Sequence, residues 1–347
     1  MAYFEEKSLN ESETKDIQVP RKEYKDIIKW RTVGVFVFIH LSALYGAYLI
    51  KEAKLQTIIW TILLYEITAI GVVAGVHRLW SHNSYKVKRP LELLLAFFCT
   101  VAAQKSIYRW ARDHRVHHKY TDTDADPHNS RRGFFYSHIG WLMMKKNPLV
   151  MEKGKTIFLD DLHANPVVMF QHRYYYQFVI PLSMVMPTLV PMLFWKETMI
   201  TSFFMAVMLR YCFTLHMTWL INSAAHKFGS RPYDKNINPT DNWLVSLGIA
   251  GDGWHNFHHA FPWDYRSAEL GGFRINLAAL FIEFMAKLGQ AYDLKTAPSH
   301  IVLARMKRTG ILSATQENTK CETTHSWGYG DETRPYEESF SSLVKLE

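Results

Sequence analysis

Residues 56–82, QTIIWTILLYEITAIGVVAGVHRLWSH, contain the pattern that decides the fold of this chain. The run from residue 56 to residue 76 is apolar and long enough to cross a bilayer as a helix, which takes about 20 residues. It leads directly into HRLWSH, in which His77 and His82 stand five positions apart. The stretch therefore predicts a membrane helix that carries two imidazoles to one face of the membrane.

Three further apolar runs of similar length lie at about residues 32–50, 178–195 and 198–220. Short connections join the first run to 56–76 and the third run to the fourth, which predicts two helical hairpins. Hydrophobic residues make up 48% of the 347-residue chain, and they are bunched in these blocks rather than spread evenly. We therefore predict an all-α integral membrane fold: four transmembrane helices in two hairpins, plus a cytosolic helical domain that carries the histidine motifs.

Basic residues predict the orientation of the spans. The segments 1–31, 77–177 and 221–310 are rich in Lys and Arg, whereas the two short connecting loops hold only three lysines. By the positive-inside rule, these segments and both termini face the cytosol. The chain is thus predicted to have a cytosolic N-terminal segment, one membrane domain over about 32–310, and a tail over 311–347. The tail is predicted to be disordered because Ser, Thr, Glu and Gly dominate it.

Two shorter apolar stretches, 91–104 and 272–290, are too short or too charged to span a bilayer. We predict that both form amphipathic or interfacial helices, with a buried helix of the cytosolic domain as the alternative for 91–104.

The net charge of +8 allows three kinds of partner: nucleic acid, an anionic membrane surface or an acidic small substrate. The apolar blocks favour the last two, so no nucleic-acid partner is expected. The chain has three cysteines and no C-x-x-C pair, so neither a disulfide framework nor a thiolate metal site is indicated.

Histidines are the most informative residues of this sequence, which contains 17 of them. Eight fall into three motifs, namely HRLWSH (His77, His82), HRVHH (His114, His117, His118) and HNFHH (His255, His258, His259). Helix positions i, i+3 and i+4 share a face, so the last two motifs each direct three imidazoles to one point. The five-residue spacing of the first motif suits a helix end that unwinds. Eight imidazoles exceed the needs of one ion and predict two metal ions.

His226, in WLINSAAH, lies one helical turn after Asn222, and both are predicted to point toward the same place as the motifs. The remaining histidines are assigned ordinary hydrogen bonds: His40, His128, His138, His163, His172, His216, His300 and His325.

The metal type follows from the surrounding residues. Imidazole suits iron, copper, nickel and zinc. The chain has no H-E-x-x-H motif of a zinc hydrolase. Its one Glu-x-x-His sequence, Glu322 to His325, lies in the tail, whereas a carboxylate di-iron protein uses two. We therefore predict an all-nitrogen di-iron centre that activates O2, with each imidazole oriented by a hydrogen-bond acceptor. The candidate acceptors are Asp113, Asp122, Asp126, Asp252 and Glu269.

Longer motifs carry a resemblance to a known family: HRLWSH, WARDHRVHHKYTDTDADPHNSRRGFFYSHIGW, WLINSAAH, RPYDKNI and HNFHHAFPWDY. Over about residues 25–310 the chain resembles the membrane acyl-CoA desaturases of animals, in the stearoyl-CoA desaturase group, and is more similar to insect members than to vertebrate ones.

The resemblance implies a long-chain acyl-CoA substrate, O2, and electrons from cytochrome b5 and its NADH-dependent reductase in the endoplasmic reticulum membrane. The HPGG motif of a fused cytochrome b5 is absent, so the donor would be a separate protein. Two Fe2+ ions would be held by the nine histidines of the motifs and of WLINSAAH, with Asn222 reaching one iron through water.

The resemblance also implies how substrate would bind. Coenzyme A contacts would fall on Lys105, Arg112, Asp113, Lys145 and Lys146, and Lys105 replaces the asparagine that is common in the family. A bend in the acyl channel would fall on Gln104, Trp110, Thr218 and Trp219, and Tyr65 would close its far end. The residue types alone would favour ordinary helix packing for the aromatics and solvated side chains for the lysines.

These observations predict an acyl-CoA desaturase that forms a Δ9 or Δ11 double bond in a saturated long-chain acyl-CoA. The same iron chemistry leaves another di-iron lipid oxidase, a hydroxylase or conjugase, as an alternative. A metal transporter or membrane zinc hydrolase is disfavoured, because transporters place ionisable residues inside their spans and here the motifs follow them. A non-catalytic lipid-binding scaffold would not need the complete set of histidines.

Overall fold

The structure is a computed structural model, and it describes residues 26–268 and 276–311. Its helices, in chain order, are α1 (Trp30–Leu49), α2 (Leu55–Ser81), α3 (Arg89–Ala102), α4 (Ile107–Lys119), α5 (Tyr136–Gly140, continued by Trp141–Met143), α6 (Pro148–Gly154), α7 (Asp160–Ala164), α8 (Pro166–Arg173), α9 (Tyr175–Trp195), α10 (Met199–His226), α11 (Trp243–Gly248), α12 (His255–Ala260), α13 (Leu277–Lys287) and α14 (Ser299–Arg308). The predictions for the first 25 residues, for Glu269 and for the tail from residue 312 lie outside the described residues.

Four helices, α1, α2, α9 and α10, are long and apolar enough to cross a membrane. They form two hairpins with short connections, which confirms the predicted fold class. Two of them are longer than predicted, because α2 continues to Ser81 and α10 continues to His226. Both extensions end in histidine-bearing turns, and we call this end of the bundle the histidine end and the opposite one the loop end.

The two hairpins are joined at the loop end through Glu197, which is buried. Its carboxylate accepts hydrogen bonds from the backbone N–H of Lys54 (2.9 Å) and from the hydroxyl of Thr57 (2.7 Å). These donors belong to the start of α2, where the first backbone N–H groups of a helix have no partner within it. The carboxylate therefore caps α2 and fixes one hairpin against the other.

Helix α2 widens over Gly71–Ser81, where its hydrogen bonds follow the π pattern that spans five residues. At the end of this segment the backbone N–H of His82 donates to the carbonyl of His77, at 3.2 Å. Residues five apart then share a face, so His77 and His82 point the same way without unwinding. The predicted unwinding of this helix end was wrong: the helix widens instead.

Helices α3 and α4 meet at an elbow, which we define as residues 100–107, with an angle of 82° between the two helices. Ala103 and Lys105 adopt left-handed backbone conformations there, with φ of 54° and 82°. Helix α3 buries Leu95 and Cys99 while exposing Leu94 and Phe97, so it has the amphipathic character that its sequence predicts.

The histidine end is covered by the segments that follow the two hairpins. Strand β1 (Lys86–Val87) pairs antiparallel with β2 (Ala291–Tyr292). The largest apolar core of the described residues joins α2 and α3 to α4 and α13, through side chains such as Val73, Leu95 and Ile282. This core supports the wide turns of α2 and the helix α4, which together carry five of the motif histidines.

Candidate metal centre and substrate cavity

The structure brings all nine predicted histidines together in two adjacent groups. The five-histidine group consists of His77, His82, His114, His118 and His258, and the four-histidine group consists of His117, His226, His255 and His259. Within each group, the candidate ligand atoms all lie within 4.8 Å of one another. The rings come from four places: the end of α2, one face of α4, the end of α10 and the helix α12.

In the five-histidine group, the Nε2 atoms face one another. The Nε2 atom of His258 lies 2.9 Å from that of His77 and 2.9 Å from that of His118. The Nε2 atoms of His82 and His114 are also 2.9 Å apart. Neutral imidazole nitrogens that converge in this way fit a borderline transition-metal ion.

The four-histidine group has the same character. The Nε2 atom of His255 lies 3.1 Å from those of His226 and His259. The Nε2 atom of His117 is buried and has no hydrogen-bond partner within the described part of the chain. A buried polar atom left without a partner costs about 1–3 kcal/mol, so a bound cation would remove a penalty that the protein otherwise carries. The residues present therefore fit a metal ion in this group.

Carboxylates hold the Nδ1 atoms on the other side of three rings. Asp252 lies 2.9 Å from Nδ1 of His77, Asp126 lies 2.9 Å from Nδ1 of His117, and Asp122 lies 3.2 Å from Nδ1 of His226. A carboxylate on Nδ1 fixes the ring and its tautomer and leaves Nε2 for a metal, the usual arrangement around metal-bound histidine. Asp252 also binds the fully buried guanidinium of Arg78, at 3.2 Å, which ties α2 to the segment before α12.

The electrostatics favour neutral imidazoles. Burial first, and then the neighbouring imidazoles, hold six pKa values well below the ordinary value for histidine: those of His82, His114, His118, His255, His258 and His259. The pKa of His117 shifts the other way, because Asp126 outweighs burial and raises it. Burial raises the pKa of Asp126, but His117 outweighs it and the net pKa lies well below the usual range. Neutral imidazole is the form that binds metal.

Two residues near the site differ from their predicted roles. Asp113 was a candidate to orient a histidine, and this was wrong, because its carboxylate binds three cations instead. His128 was assigned an ordinary role, but it is buried beside the four-histidine group, with Nδ1 3.3 Å from Asp126 and its ring centroid 4.6 Å from that of His117. Its position ten residues after HRVHH, behind the run of aspartates, is the sequence signal that could have identified it.

A cavity opens beside the histidines. Its lining includes His77, His114, His255, Asn222 and Asp252. It also includes six of the residues predicted to contact substrate, namely Gln104, Lys105, Trp110, Asp113, Thr218 and Trp219. The indole of Trp110 stacks on His114, with ring centroids 4.8 Å apart. The site therefore combines a group of imidazoles with an adjoining cavity walled by aromatic and amide side chains.

One edge of the cavity is cationic. The Asp113 carboxylate accepts from Lys105 (2.9 Å), Lys146 (2.8 Å) and Arg112 (2.9 Å). Burial raises the pKa of Asp113, but these cations outweigh it and hold the pKa well below its usual range. Three positive charges around one carboxylate leave a net positive charge, and the cationic side chains are about 30% exposed while Asp113 is 9% exposed. The cluster can therefore receive an anionic group from solvent.

Four residues predicted to contact substrate do not line this cavity: Arg112 and Lys146, which bind Asp113 at its edge, and Lys145 and Tyr65. The backbone N–H of Lys145 donates to the carbonyl of Ile27, at 2.9 Å. The hydroxyl of Tyr65 donates to the carbonyl of Gly248, and its ring lies 4.9 Å from that of Phe213. Neither belongs to the cavity lining in the part of the chain that the structure describes. Their substrate contacts stay predictions.

Three further histidines form a linear array inside the bundle, which we call the histidine chain. Nε2 of His40 lies 2.9 Å from Nε2 of His216, and Nδ1 of His216 lies 2.9 Å from Nε2 of His138. The hydroxyl of Ser223 lies 2.9 Å from Nδ1 of His138, and Nδ1 of His40 lies 2.6 Å from the carbonyl of Phe36. The array therefore links α1, α10 and α5 by hydrogen bonds.

Comparison with known proteins gives the family. The fatty acid desaturase family model matches residues 54–269. The chain is 49% identical to the Acyl-CoA Delta-9 desaturase of Acheta domesticus, over 94% of this chain and 88% of that protein. It is 49% identical to the Acyl-CoA Delta12-desaturase of the same species, over 93% of this chain and 88% of that protein, and 52% identical to the human Stearoyl-CoA desaturase, over 84% and 80%. This chain belongs to the fatty acid desaturase family.

Proposed function

We propose that this chain desaturates a long-chain fatty acyl-CoA, forming a Δ9 or Δ11 double bond with O2 as the oxidant. The observation that carries the proposal is the pair of convergent histidine groups next to a cavity with a cationic edge. Acyl-CoA has an anionic head and a long apolar tail, which match these two features.

We assign two iron ions to the two histidine groups, with five and four imidazole ligands. The four-histidine group has one ligand fewer, and we assign Asn222 to reach its ion through a water molecule. Asn222 lies one helical turn before His226 on α10 and lines the cavity, which supports this role. Two ferrous ions held there would supply the O2-activating redox chemistry that removal of two hydrogens from an unactivated chain requires.

The residues of the chain would do the positioning. Lys105, Arg112 and Lys146 would bind the phosphates of coenzyme A, with Asp113 holding the three cations ready. We keep Lys145 in this set on the resemblance alone. A lysine at position 105 offers a charge where an asparagine would offer an amide, so salt would weaken this contact.

The acyl tail would lie along Trp110 and Trp219, which line the cavity. The side-chain N–H of Gln104 donates to the hydroxyl of Thr218, at 2.9 Å, so two polar groups that face the tail satisfy each other. A dry, fixed path selects which carbons stand next to the metal site, and misplacement by about 1 Å can cost about 100-fold in rate. Two relatives, each 49% identical to this chain, are named for different double-bond positions, Delta-9 and Delta12, so overall identity does not fix the double-bond position of this chain.

Electrons would come from cytochrome b5 and its NADH-dependent reductase, and the protein would reside in the endoplasmic reticulum membrane with both termini in the cytosol. The basic segments around the histidine end support this orientation. Tyr65 would close the far end of the acyl path by the same resemblance.

The decisive experiment is expression in a yeast that lacks its own desaturase, with mass spectrometry that locates any new double bond. We expect a new monounsaturated acid that disappears in His118→Ala and persists in His300→Ala, a matched change of an exposed histidine on α14. A hydroxylated acid as the main product would assign the protein to the lipid hydroxylases. Tightly bound zinc without iron, after growth in iron-rich medium, would overturn the iron assignment.

A further inference from the structure

The elbow between α3 and α4 is an unusual piece of backbone at the wall of the cavity. Ala103, Gln104 and Lys105 all line the cavity, and both Ala103 and Lys105 have left-handed conformations. Such a conformation costs a non-glycine residue about 1–2 kcal/mol. It persists only where surrounding contacts impose it, and such places are often functional.

One of these contacts comes from Arg210, a fully buried arginine inside the membrane-spanning helix α10. Its guanidinium donates to the carbonyls of Val101 (3.3 Å), Ser183 (3.2 Å) and Ala206 (3.0 Å). Within the described ranges no carboxylate forms an ion pair with it. An arginine in a membrane helix is costly, and such residues usually serve a function.

Two of the three carbonyls that Arg210 contacts have a reason to need a side-chain donor. The carbonyl of Val101 belongs to the last turn of α3, where carbonyls lack partners and the helix dipole favours a cation. The carbonyl of Ser183 lies four residues before Pro187, which has no N–H to offer it. Arg210 therefore fixes the end of α3 to two neighbouring helices with one planar group.

Tyr211, the next residue of α10, adds a second hydrogen bond to the elbow. The hydroxyl of Tyr211 donates to the carbonyl of Ala103, at 3.2 Å, and Thr218 accepts from Gln104 as described above. On the opposite side, Gln171 of α8 donates to Thr100 (3.1 Å) and accepts from the backbone N–H of Ile107 (3.1 Å). The elbow is thus held at both of its ends and in its middle.

We infer that Arg210 and Tyr211 are positioning residues that set the place of the double bond, an inference that rests on the proposed function. The same helix α10 ends at Asn222 and His226, and the arm after the elbow, α4, carries His114, His117 and His118. By fastening the elbow to α10, the two residues fix the cavity wall relative to the histidine groups. The double bond forms where the acyl tail, bent around this wall, passes the histidines.

The test uses the full-length chain in the desaturase-deficient yeast, with Arg210→Lys and Tyr211→Phe. Lysine keeps the charge but cannot reach three carbonyls with a planar fork, and phenylalanine removes one hydrogen bond. We expect positional isomers beside the wild-type product in both variants. The total product should fall by up to about 100-fold for Arg210→Lys and by less for Tyr211→Phe.

Two matched controls share the chemistry of these changes but lie away from the elbow. Arg305→Lys alters a buried arginine that pairs with Asp234, and Tyr265→Phe removes a hydroxyl that donates to Glu283 at 3.0 Å. Both should leave the double-bond position unchanged. Hydrogen exchange of the backbone amides in residues 100–107 gives a second readout that does not depend on activity, and it should be faster in Arg210→Lys and Tyr211→Phe than in the controls.

A single wild-type double-bond position in Tyr211→Phe and Arg210→Lys, with unchanged exchange at the elbow, would overturn the inference while leaving the desaturase intact. If Arg210→Lys fails to accumulate, Tyr211→Phe decides the question alone. If the wild-type chain makes no unsaturated acid, the proposed function fails, and the exchange measurement still decides whether α10 fixes the elbow.

Discussion

The histidine groups at the end of the bundle and the histidine chain inside it both contain close pairs of imidazole Nε2 atoms, but the two arrangements differ in what surrounds them. The Nε2 atoms of His77 and His258 are 2.9 Å apart, and so are those of His40 and His216. In the groups, the Nε2 atoms converge on common points and carboxylates hold several Nδ1 atoms. In the chain, no aspartate or glutamate of the described residues hydrogen-bonds to the three rings.

The direction of the hydrogen bonds makes the difference. In the chain, Nδ1–H of His40 donates to the carbonyl of Phe36, so its Nε2 must accept from His216. His216 then accepts from His138. Nδ1 of His138 lies 2.9 Å from the hydroxyl of Ser223, which donates its hydrogen to the carbonyl of Trp219. Every ring nitrogen of the chain therefore has a hydrogen-bond partner without a metal. Proximity of imidazoles alone therefore does not identify a metal site, although Cys212 also lies within reach of His40 and His216.

The largest effect is expected for His258→Ala, because Nε2 of His258 faces two other ligands of the five-histidine group. Desaturation should fall below detection, and bound iron should drop by about half if each group holds one ion. Elemental analysis of the purified protein measures this. Unchanged iron content would break the assignment of His258 to the metal site.

The next effect is on stability. Asp252→Asn should destabilise the metal-free protein by about 3–5 kcal/mol, because it leaves the buried guanidinium of Arg78 without its counter-charge. Asp293→Asn removes an exposed ion pair with Lys86 and should cost no more than about 1 kcal/mol. Thermal unfolding in detergent compares the two variants, and equal shifts would contradict the role of Asp252.

A smaller effect is expected where a carboxylate only orients a ligand. Asp126→Asn should lower the affinity of the four-histidine group for iron by about 10–100-fold, since the ring of His117 loses its negatively charged acceptor. Retention of iron against increasing chelator measures this affinity. The comparison between groups and chain would lose its basis if Asp126→Asn bound iron as tightly as the wild type.

For the histidine chain we predict only a small effect of substitution. His216→Asn should leave the iron content unchanged and lower the free energy of unfolding by about 1 kcal/mol, the value of a typical hydrogen bond. Loss of a metal ion in this variant would show that the chain and Cys212 form a metal site after all.

The smallest effect concerns pH. Burial, with His216 as the next cause, lowers the pKa of His138 to about 4. Between that value and the unfolded pKa of about 6.5, the unfolded chain binds a proton that the native protein does not. Stability from this group is therefore complete above pH 6.5 and is lost as the pH falls toward 4. His138→Asn should make the Tm of the metal-free protein less dependent on pH in this window, and a steeper dependence would contradict the lowered pKa of His138.

The fold and the set of nine histidines followed from local patterns in the sequence. The lengths of four apolar runs and the spacing within two H-x-x-H-H motifs were enough to predict membrane helices and converging imidazoles. The structure confirms the fold class and brings the histidines together. The assignment of those histidines to iron stays a prediction. The sequence did not reveal the widened turns of α2, because His77 and His82 share a face only in a π pattern that packing against α3 supports.

The elbow could not be predicted from the sequence either. Nothing about Ala103 or Lys105 indicates a left-handed backbone, and the elbow hydrogen-bonds to Tyr211 and Arg210, which lie more than a hundred residues away in the sequence. Likewise, Asp113 and Asp126 are similar in sequence context, and only the tertiary structure shows that one holds cations while the other holds an imidazole.

The carboxylate of Glu197 has a consequence for biogenesis. Glu197 caps the start of α2 at Lys54, which precedes Glu197 by 143 positions. The ribosome therefore completes the first hairpin long before the capping residue is synthesised. At a synthesis rate of 5–20 residues per second, the wait is roughly 7–30 s. During that time the first N–H groups of α2 lack this acceptor. Arrival of the second hairpin then supplies the carboxylate that joins the two hairpins at the loop end.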